Sequence, residues 1–512
     1  MRKKRLVALL TACLIILGGC SSVPVRDTAD VTLPPPSSPY SAPLGDQSEE
    51  IIQRVSLSLP SPVTGQLTMV SDRLALPAAR HPAETVLTRL FSFQSNDQAL
   101  AISENDALQL MSGRGVELSG GTAVVNLAAS ALSLSAQELF LAGMAIANTL
   151  SQWGDIRHVN ILVNDQHPGL DPAATVPLGS LVADTTPGAA ASLWEARGSQ
   201  RTGNVQGGFS LGATLYFPAA AGRGILAEGR TVSFHDAGLS SMASSLLGAL
   251  SAGASTLPGV PQLPDLNALL TSNPLVEELP GAQGRIILLS FSESANEQLI
   301  AAGIPRSVMM ASLCLTLTTF LPGLAGIKVR IGTEIISAVV PAGTLEGAGQ
   351  EIFFEDQVMR RTDFRHFLLD YCTLYFANGT GALARTRRAI PYHQTRSPRY
   401  VLNELLTGPQ YTDSNPALLP VLPEGLRDAD WLGITRHSDT LALNISAAAG
   451  ELFKPLDEVQ ERLMVYSLVN TLAELEGISK VQFFIDGKQE GRFARQIDIA
   501  GSFLPSAGMT AR

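Results

Sequence analysis

The residue best placed to do chemistry in this chain is Cys20. It ends the run Leu17-Gly18-Gly19-Cys20, where two glycines leave room for a peptidase and the thiol can take up a diacylglycerol. Ahead of it, Arg2, Lys3, Lys4 and Arg5 form a basic start and residues 6–17 an apolar stretch. Basic, then apolar, then small residues before a cysteine is the layout of a secretory signal ending in a lipobox. The apolar stretch is short for a permanent span, which needs about 20 residues. Residues 1–20 are therefore expected to be a lipoprotein signal peptide. Cys20 is the expected lipidation site, placing the chain on the extracytoplasmic face of a bacterial cell membrane. Residues 21–50, with Pro34-Pro35-Pro36 and Pro39, are expected to be a Pro/Ser-rich tether.

No second centre of chemistry is expected. A His-Glu-x-x-His zinc helix, a Cys-x-x-Cys pair, a Ser-x-x-Lys dyad and a Walker loop are missing from the sequence, and no serine nucleophile elbow is expected. No catalytic residue, metal site or cofactor is assigned. Among the histidines, His158 and His167 are the nearest pair, but a strand and a turn separate them, so both read as structural. Cys13 leaves with the signal and Cys20 carries lipid. Cys314 and Cys372 then read as buried small hydrophobes, with a disulfide between them left open.

Two groups stand out without forming a site. Arg385, Arg387 and Arg388 lie on a short strand, with Arg385 and Arg387 on one face. The plain reading is a solvated strand guarded against aggregation; the functional one is contact with an acidic partner or an anionic glycan. Asn148 and Asn470 interrupt apolar helix stripes. The plain reading is an amide that satisfies a backbone group in the core; the functional one is an interface or ligand contact.

The elements that carry these residues repeat. Ala147-Asn148-Thr149-Leu150 leads into Val159-Asn160-Ile161-Leu162-Val163, and Val469-Asn470-Thr471-Leu472 into Val481-Gln482-Phe483-Phe484-Ile485, at a constant offset of 322 residues. Upstream, residues 122–127 pair with 440–445 at an offset of 318, so four residues are inserted before the last unit's helix. A weaker middle copy has strands at 285–292 and 327–332 around a helix at 311–321. Each unit opens with a strand, at Val55 to Leu59, Thr214 to Phe217 and Thr373 to Phe376. A second strand follows at 67–76, 225–234 and 383–392, then a helix at 82–91, 239–250 and 398–406. Apolar alternation in the strands and the stripe Val465, Leu468, Val469 and Leu472 in the last helix support this order. The expected fold class is α+β: tandem repeats of a small sheet with helices packed on one face. The expected units are 51–180, 208–340 and 365–505, with Gly- and Ala-rich joins such as 185–208.

These residues resemble the GerMN domain of the GerM family of sporulation and germination lipoproteins. The resemblance rests on the helix ending Leu405-Leu406-Thr407-Gly408-Pro409, the Thr-x-x-x-Asn-apolar strands at 122–127 and 440–445, and the Asn-Thr-Leu helices that run into alternating strands. By it, 51–180 and 365–505 are GerMN domains and 208–340 is a diverged one, which has Thr316-Leu317-Thr318 where the others have Asn-Thr-Leu. The resemblance implies a ring-building-motif-like fold and a non-enzymatic scaffold or assembly factor of the envelope. The implied partners are envelope proteins, a second copy of the chain, and the membrane through Cys20.

Composition agrees with a folded, non-nucleic-acid protein. The 512 residues allow about three domains of roughly 150 residues. With 45% hydrophobic residues there is ample surface to bury. A net charge of −10, from 36 Lys+Arg against 46 Asp+Glu, argues against a nucleic-acid partner, which needs a basic face. Two other readings remain, a solute-binding lipoprotein of a transporter and a peptidoglycan-associated protein.

Overall fold

A computed structural model describes residues 41–47, 50–61, 63–78, 80–93, 107–203, 205, 207–279, 284–341, 348–411, 413, 417–489 and 491–510. The expected signal peptide, Cys20 and most of the tether lie outside the described residues.

The first unit opens with an antiparallel hairpin of β1 (Glu50–Pro60) and β2 (Leu67–Pro77), followed by helix α1 (Ala83–Ser92). Next comes a three-stranded sheet. In it β3 (Val116–Ser119) runs antiparallel to β4 (Thr122–Leu127), and β4 parallel to β5 (His158–Val163). Parallel neighbours need a crossover, and α2 (Ala136–Leu150) supplies it. Ser135 and Glu138 close a capping box at its start, satisfying amide groups that a helix N-terminus leaves open.

The middle unit repeats this order: hairpin β6 (Phe209–Pro218) and β7 (Ile225–Phe234), helix α3 (Leu239–Ser251), then β8 (Leu275–Glu278) antiparallel to β9 (Arg285–Phe291). Helix α4 (Arg306–Phe320) crosses to β10 (Leu324–Ile331), parallel to β9. Every residue of α4 from Ser307 onward is buried, which explains why the helix carries no charge after Arg306 and shows no single apolar stripe. Three two-residue strands, β11 (Glu334–Ile335), β12 (Ala338–Val339) and β13 (Ile352–Phe353), lead onward.

The third unit has hairpin β14 (Leu369–Ala377) and β15 (Leu383–Pro391), helix α5 (Pro398–Leu406), and β16 (Trp431–His437) antiparallel to β17 (Thr440–Ile445). Helix α6 (Glu458–Ala473) crosses to β18 (Lys480–Ile485), parallel to β17. Ser397 caps α5 and Pro398 occupies its first turn, where a missing N–H costs nothing.

All three units thus share one topology, the middle one included. The strands of each divide between two small sheets, the hairpin and the crossover sheet, and the crossover helix packs against both. Each unit has its own apolar core. Tyr392 packs against both the first and the middle core.

Three sequence expectations change. The edge strands β3, β8 and β16 were not anticipated. The 185–208 join contains a helix, Ala189–Ala196, whose Trp194 ring lies 5.3 Å from Phe140. And the end of the expected tether is bound to the third unit: Gly45 N donates to Leu432 O at 2.8 Å and Gln47 N to Ile434 O at 3.0 Å. Pro43 O accepts from Asn444 at 3.0 Å, and Arg399 pairs with Asp46. These backbone bonds cover the outer edge of β16, which would otherwise present unpaired groups.

Candidate functional site

The polar residues of the crossover helices are used by the fold. In each unit a threonine hydroxyl accepts the backbone N–H of the hairpin's first strand: Thr149 from Ser58 at 2.9 Å, Thr316 from Tyr216 at 3.0 Å, Thr471 from Tyr375 at 3.2 Å. One turn earlier, Ser312 and Ser467 donate to Tyr216 O and Tyr375 O. In the first unit Gln152 bonds both backbone groups of Ser56 instead. Helix side chains thereby satisfy a strand edge that has no neighbouring strand.

Asn148 and Asn470 act beside these threonines. Asn148 Nδ2 donates to Asp184 O at 3.0 Å, and its Oδ1 accepts from Asp184 N at 2.8 Å. Asn470 does the same with Ser506, at 3.2 and 2.8 Å. Each amide pins the backbone that returns past the unit's last strand. The geometry is that of the core-satisfying reading. A second pair, Asn126 and Asn444, accepts the N–H of Asp165 and Gly487 in the left-handed turns after β5 and β18.

The arginine run separates. Arg385 and Arg387 are exposed, Arg385 pairs with Glu474 at 3.1 Å, and Arg387 lies 4.0 Å over the Tyr371 ring. Arg388 is buried and cannot belong to a solvated edge. It binds Asp413 at 2.8 Å, Gly408 O at 2.7 Å and Glu404 O at 2.6 Å. The Leu-Thr-Gly-Pro helix ending is therefore a socket for this guanidinium. Strand alternation alone placed Arg388 opposite its neighbours, and only the socket's acid, Asp413, shows why it points inward.

Where the three units meet, one serine touches all of them. Ser119 Oγ donates to Leu369 O at 2.5 Å and accepts from Ala227 N at 2.9 Å. Gly120 N donates to Asp370 Oδ1 at 3.1 Å. Gly120 has φ +54°, and a Cβ there would sit 1.9 Å from Ala227 O, so only glycine fits. Nearby, the buried Glu117 binds Arg361, and its other oxygen lies 2.9 Å from Arg365 Nε. Burial would lower the Arg361 pKa; the Glu117 carboxylate and the Tyr216 hydroxyl together outweigh it and raise it. Burial pushes Asp370 up to about 6, with Asp155 adding repulsion and the N–H groups of Tyr371 and Gly120 opposing it.

The remaining candidates are inert by position. Cys314 and Cys372 are free and buried in different cores, and burial pushes both thiols up, Cys372 to about 12. His158 does not join His167. The His167 pKa falls to about 3 through burial, and its Nε2 accepts from Gly179 N at 3.0 Å. Among the described residues no three His, Cys, Asp or Glu side chains are grouped to hold a metal. Against the expectation of no serine elbow, Gly208-Phe209-Ser210-Leu211-Gly212 has the spelling of one. Ser210 lies within strand β6 with its Oγ 2.9 Å from Ser233 Oγ, and there is no strand-to-helix turn to expose it.

No curated protein matches the chain. Among solved structures, it is similar to the tandem GerMN domains of the sporulation protein GerM from Bacillus subtilis, at 15% identity over 59% of this chain and 100% of that one, TM-score 0.21. A putative lipoprotein from Clostridium perfringens matches at 18% identity over 27% and 87%, TM-score 0.19. The first GerMN domain of Bacillus subtilis GerM matches at 18% over 22% and 83%, TM-score 0.17. Residues 373–491 match the family described as Germane, sporulation and spore germination. Those residues run from β14 to beyond β18 and take in the threonine seam, Asn470 and the Arg388 socket. The family match is thus confined to the third unit, which carries a Germane (GerMN) domain of the kind described for sporulation and spore germination.

Proposed function

We propose that this chain is a lipid-anchored, non-enzymatic assembly factor of the bacterial cell envelope that acts in sporulation or spore germination. The observation that carries the reading is the family match over the third unit. The use of that unit's polar residues supports it: Thr471, Ser467, Asn470 and Arg388 all bind backbone or buried acid within the fold. Anchoring is supported by the basic, apolar and small-residue order that ends at Cys20. Two acyl chains hold a protein to a bilayer, each buried methylene adding about 0.8 kcal/mol. The partners on this reading are envelope proteins or a second copy of the chain. A solute-binding role is favoured by one feature, the cleft described below.

Cys20→Ala tests the reading in a spore-forming host. Metabolic labelling with an alkyne fatty acid should mark the wild-type chain and not the variant. Deleting the gene should lower spore formation or germination, and the variant should fail to restore it. Label persisting on the variant would overturn the anchor, and a deletion without defect would overturn the role.

A further inference from the structure

A polar cleft of about 710 Å³ opens beside the three-unit junction. Its walls are the Gly120-Gly121 turn and the loop up to Arg157 of the first unit, Thr256 of the middle unit, and the outer face of the β14–β15 hairpin. The volume falls within the range of ligand clefts, about 300–1,000 Å³. Of the four acids that line it, Glu474, Glu476 and Asp370 are engaged, whereas Asp155 faces a histidine whose pKa burial lowers. Glu474 accepts from Tyr375 Oη at 2.6 Å and pairs with Arg385, and Glu476 pairs with Arg396. Asp155 lies 3.6 Å from His81 Nε2, and Asp370 accepts from Gly120 N and Tyr371 N.

Two cations are left over. Arg157 and Arg387 are exposed, and no salt bridge to either is found among the described residues, although the Asp370 carboxyl acts on Arg387 through space. The Tyr371 ring holds the Arg387 guanidinium in place without neutralising it. Thr373, directly opposite Arg387 in the hairpin register, presents a hydroxyl on the same wall.

We propose that this cleft binds an acidic glycan, with Arg157 and Arg387 receiving its carboxylates and the polar walls its hydroxyls. Guanidinium forks match carboxylates in shape and charge. The threonines Thr373 and Thr395 on the third unit's wall suit a ligand that carries hydroxyls beside its carboxylates. The lining is polar, so a purely apolar ligand has nothing to gain there. The inference deepens the envelope reading by naming a ligand class. Its assay uses purified protein, so a failed anchoring or sporulation test would sink that reading and leave this one standing.

The test is calorimetric titration of the full chain in detergent with trigalacturonic acid as the probe. Maltotriose, hexaglutamate and inorganic phosphate serve as separate titrants. The expected result is one site for trigalacturonate, with the other three at least tenfold weaker. Arg157→Gln with Arg387→Gln should lower trigalacturonate affinity at least tenfold while melting as the wild type does. Should the double variant melt early, Arg157→Gln alone, at an exposed loop side chain, is expected to weaken binding at least threefold. Absence of trigalacturonate binding, or variants that bind unchanged, would overturn the proposal. Equal binding of maltotriose would remove the role of charge. Equal binding of hexaglutamate or phosphate would replace the glycan with an acidic peptide or a bare anion, and so also overturn it.

Discussion

The third and middle units follow the same path through space, yet polar groups hold one where apolar groups hold the other. The helix position before the shared threonine is Asn470 in the third unit, bonded twice to Ser506, and Leu315 in the middle one, fully buried. Five residues before the tyrosine that the threonine holds lies Asp370 in the third unit and the buried Leu211 in the middle one. At the equivalent place on the second hairpin strand, Arg388 is 1% exposed and clamped to Asp413, while Arg230 is 21% exposed beside Glu228. What does not change is the seam, Thr316 with Ser312 and Thr471 with Ser467. The seam therefore belongs to the topology, because the hairpin edge must find partners wherever this helix lies beside it. The amide, the acid and the buried arginine belong to how each unit's ends are held.

The largest effect should come from the arginines. Arg388→Met would leave Asp413 buried without its cation and should destabilise the third unit by about 3–5 kcal/mol. Arg230→Met should cost the middle unit about 1–2 kcal/mol, a range set by net hydrogen-bond values. It is smaller because Glu228 keeps bonds from Ser255 N, Thr256 N and the Thr256 hydroxyl. Hydrogen exchange resolved by unit measures both, and equal losses would break the contrast.

Next in size, Asn470→Leu should cost the third unit about 1–3 kcal/mol, because Ser506 loses both partners. Asn148→Leu should do the same to the first unit through Asp184. The middle unit already carries leucine there and should keep its protection in either variant. Unchanged exchange in the third unit would mean that Asn470 serves a surface contact instead.

A pH-dependent effect sharpens the Asp370–Leu211 contrast. The folded Asp370 carboxyl sits near 6, above its ordinary value of 3.8. The folded state therefore favours the neutral acid. The stability this contributes is full below pH 4 and is lost as pH rises through 6. Asp370→Asn keeps an oxygen for Gly120 N and Tyr371 N but cannot ionise. The variant should match the wild type at pH 4 and exceed it by up to about 3 kcal/mol at pH 7. Thermal melts from pH 4 to 8 test this, and a constant difference across that range would refute the assignment.

Much of the fold was legible because its signals are local. The 225–234 strand and the 398–406 helix coincide with β7 and α5, one from apolar alternation and the other from Pro398 behind a serine cap. The four-residue insertion also has a structural counterpart: a short 3₁₀ turn, Ala129–Ser133, precedes α2, where the helix Ala447–Phe453 precedes α6. The edge strands were missed for a different reason. β3 and β8 are four residues each, too short for a period to declare itself, and form only because a central strand offers its edge.

The sequence by itself determined the repeat, the α+β class, the starts of the helices that follow each hairpin and the Asn-Thr-Leu positions, since periodicity, caps and self-similarity are properties of neighbours along the chain. The middle crossover helix, by contrast, begins at Arg306 and not at 311. Tertiary structure decided the rest. It turned Arg388 inward because Asp413 and the carbonyl of Gly408 wait there, docked residues 43–47 on β16 because that edge was open, and required glycine at 120 because the Ala227 carbonyl leaves no room for a Cβ. Each of these depends on a partner far away in sequence, and a guanidinium, a strand edge or a turn carries no local mark of what will meet it.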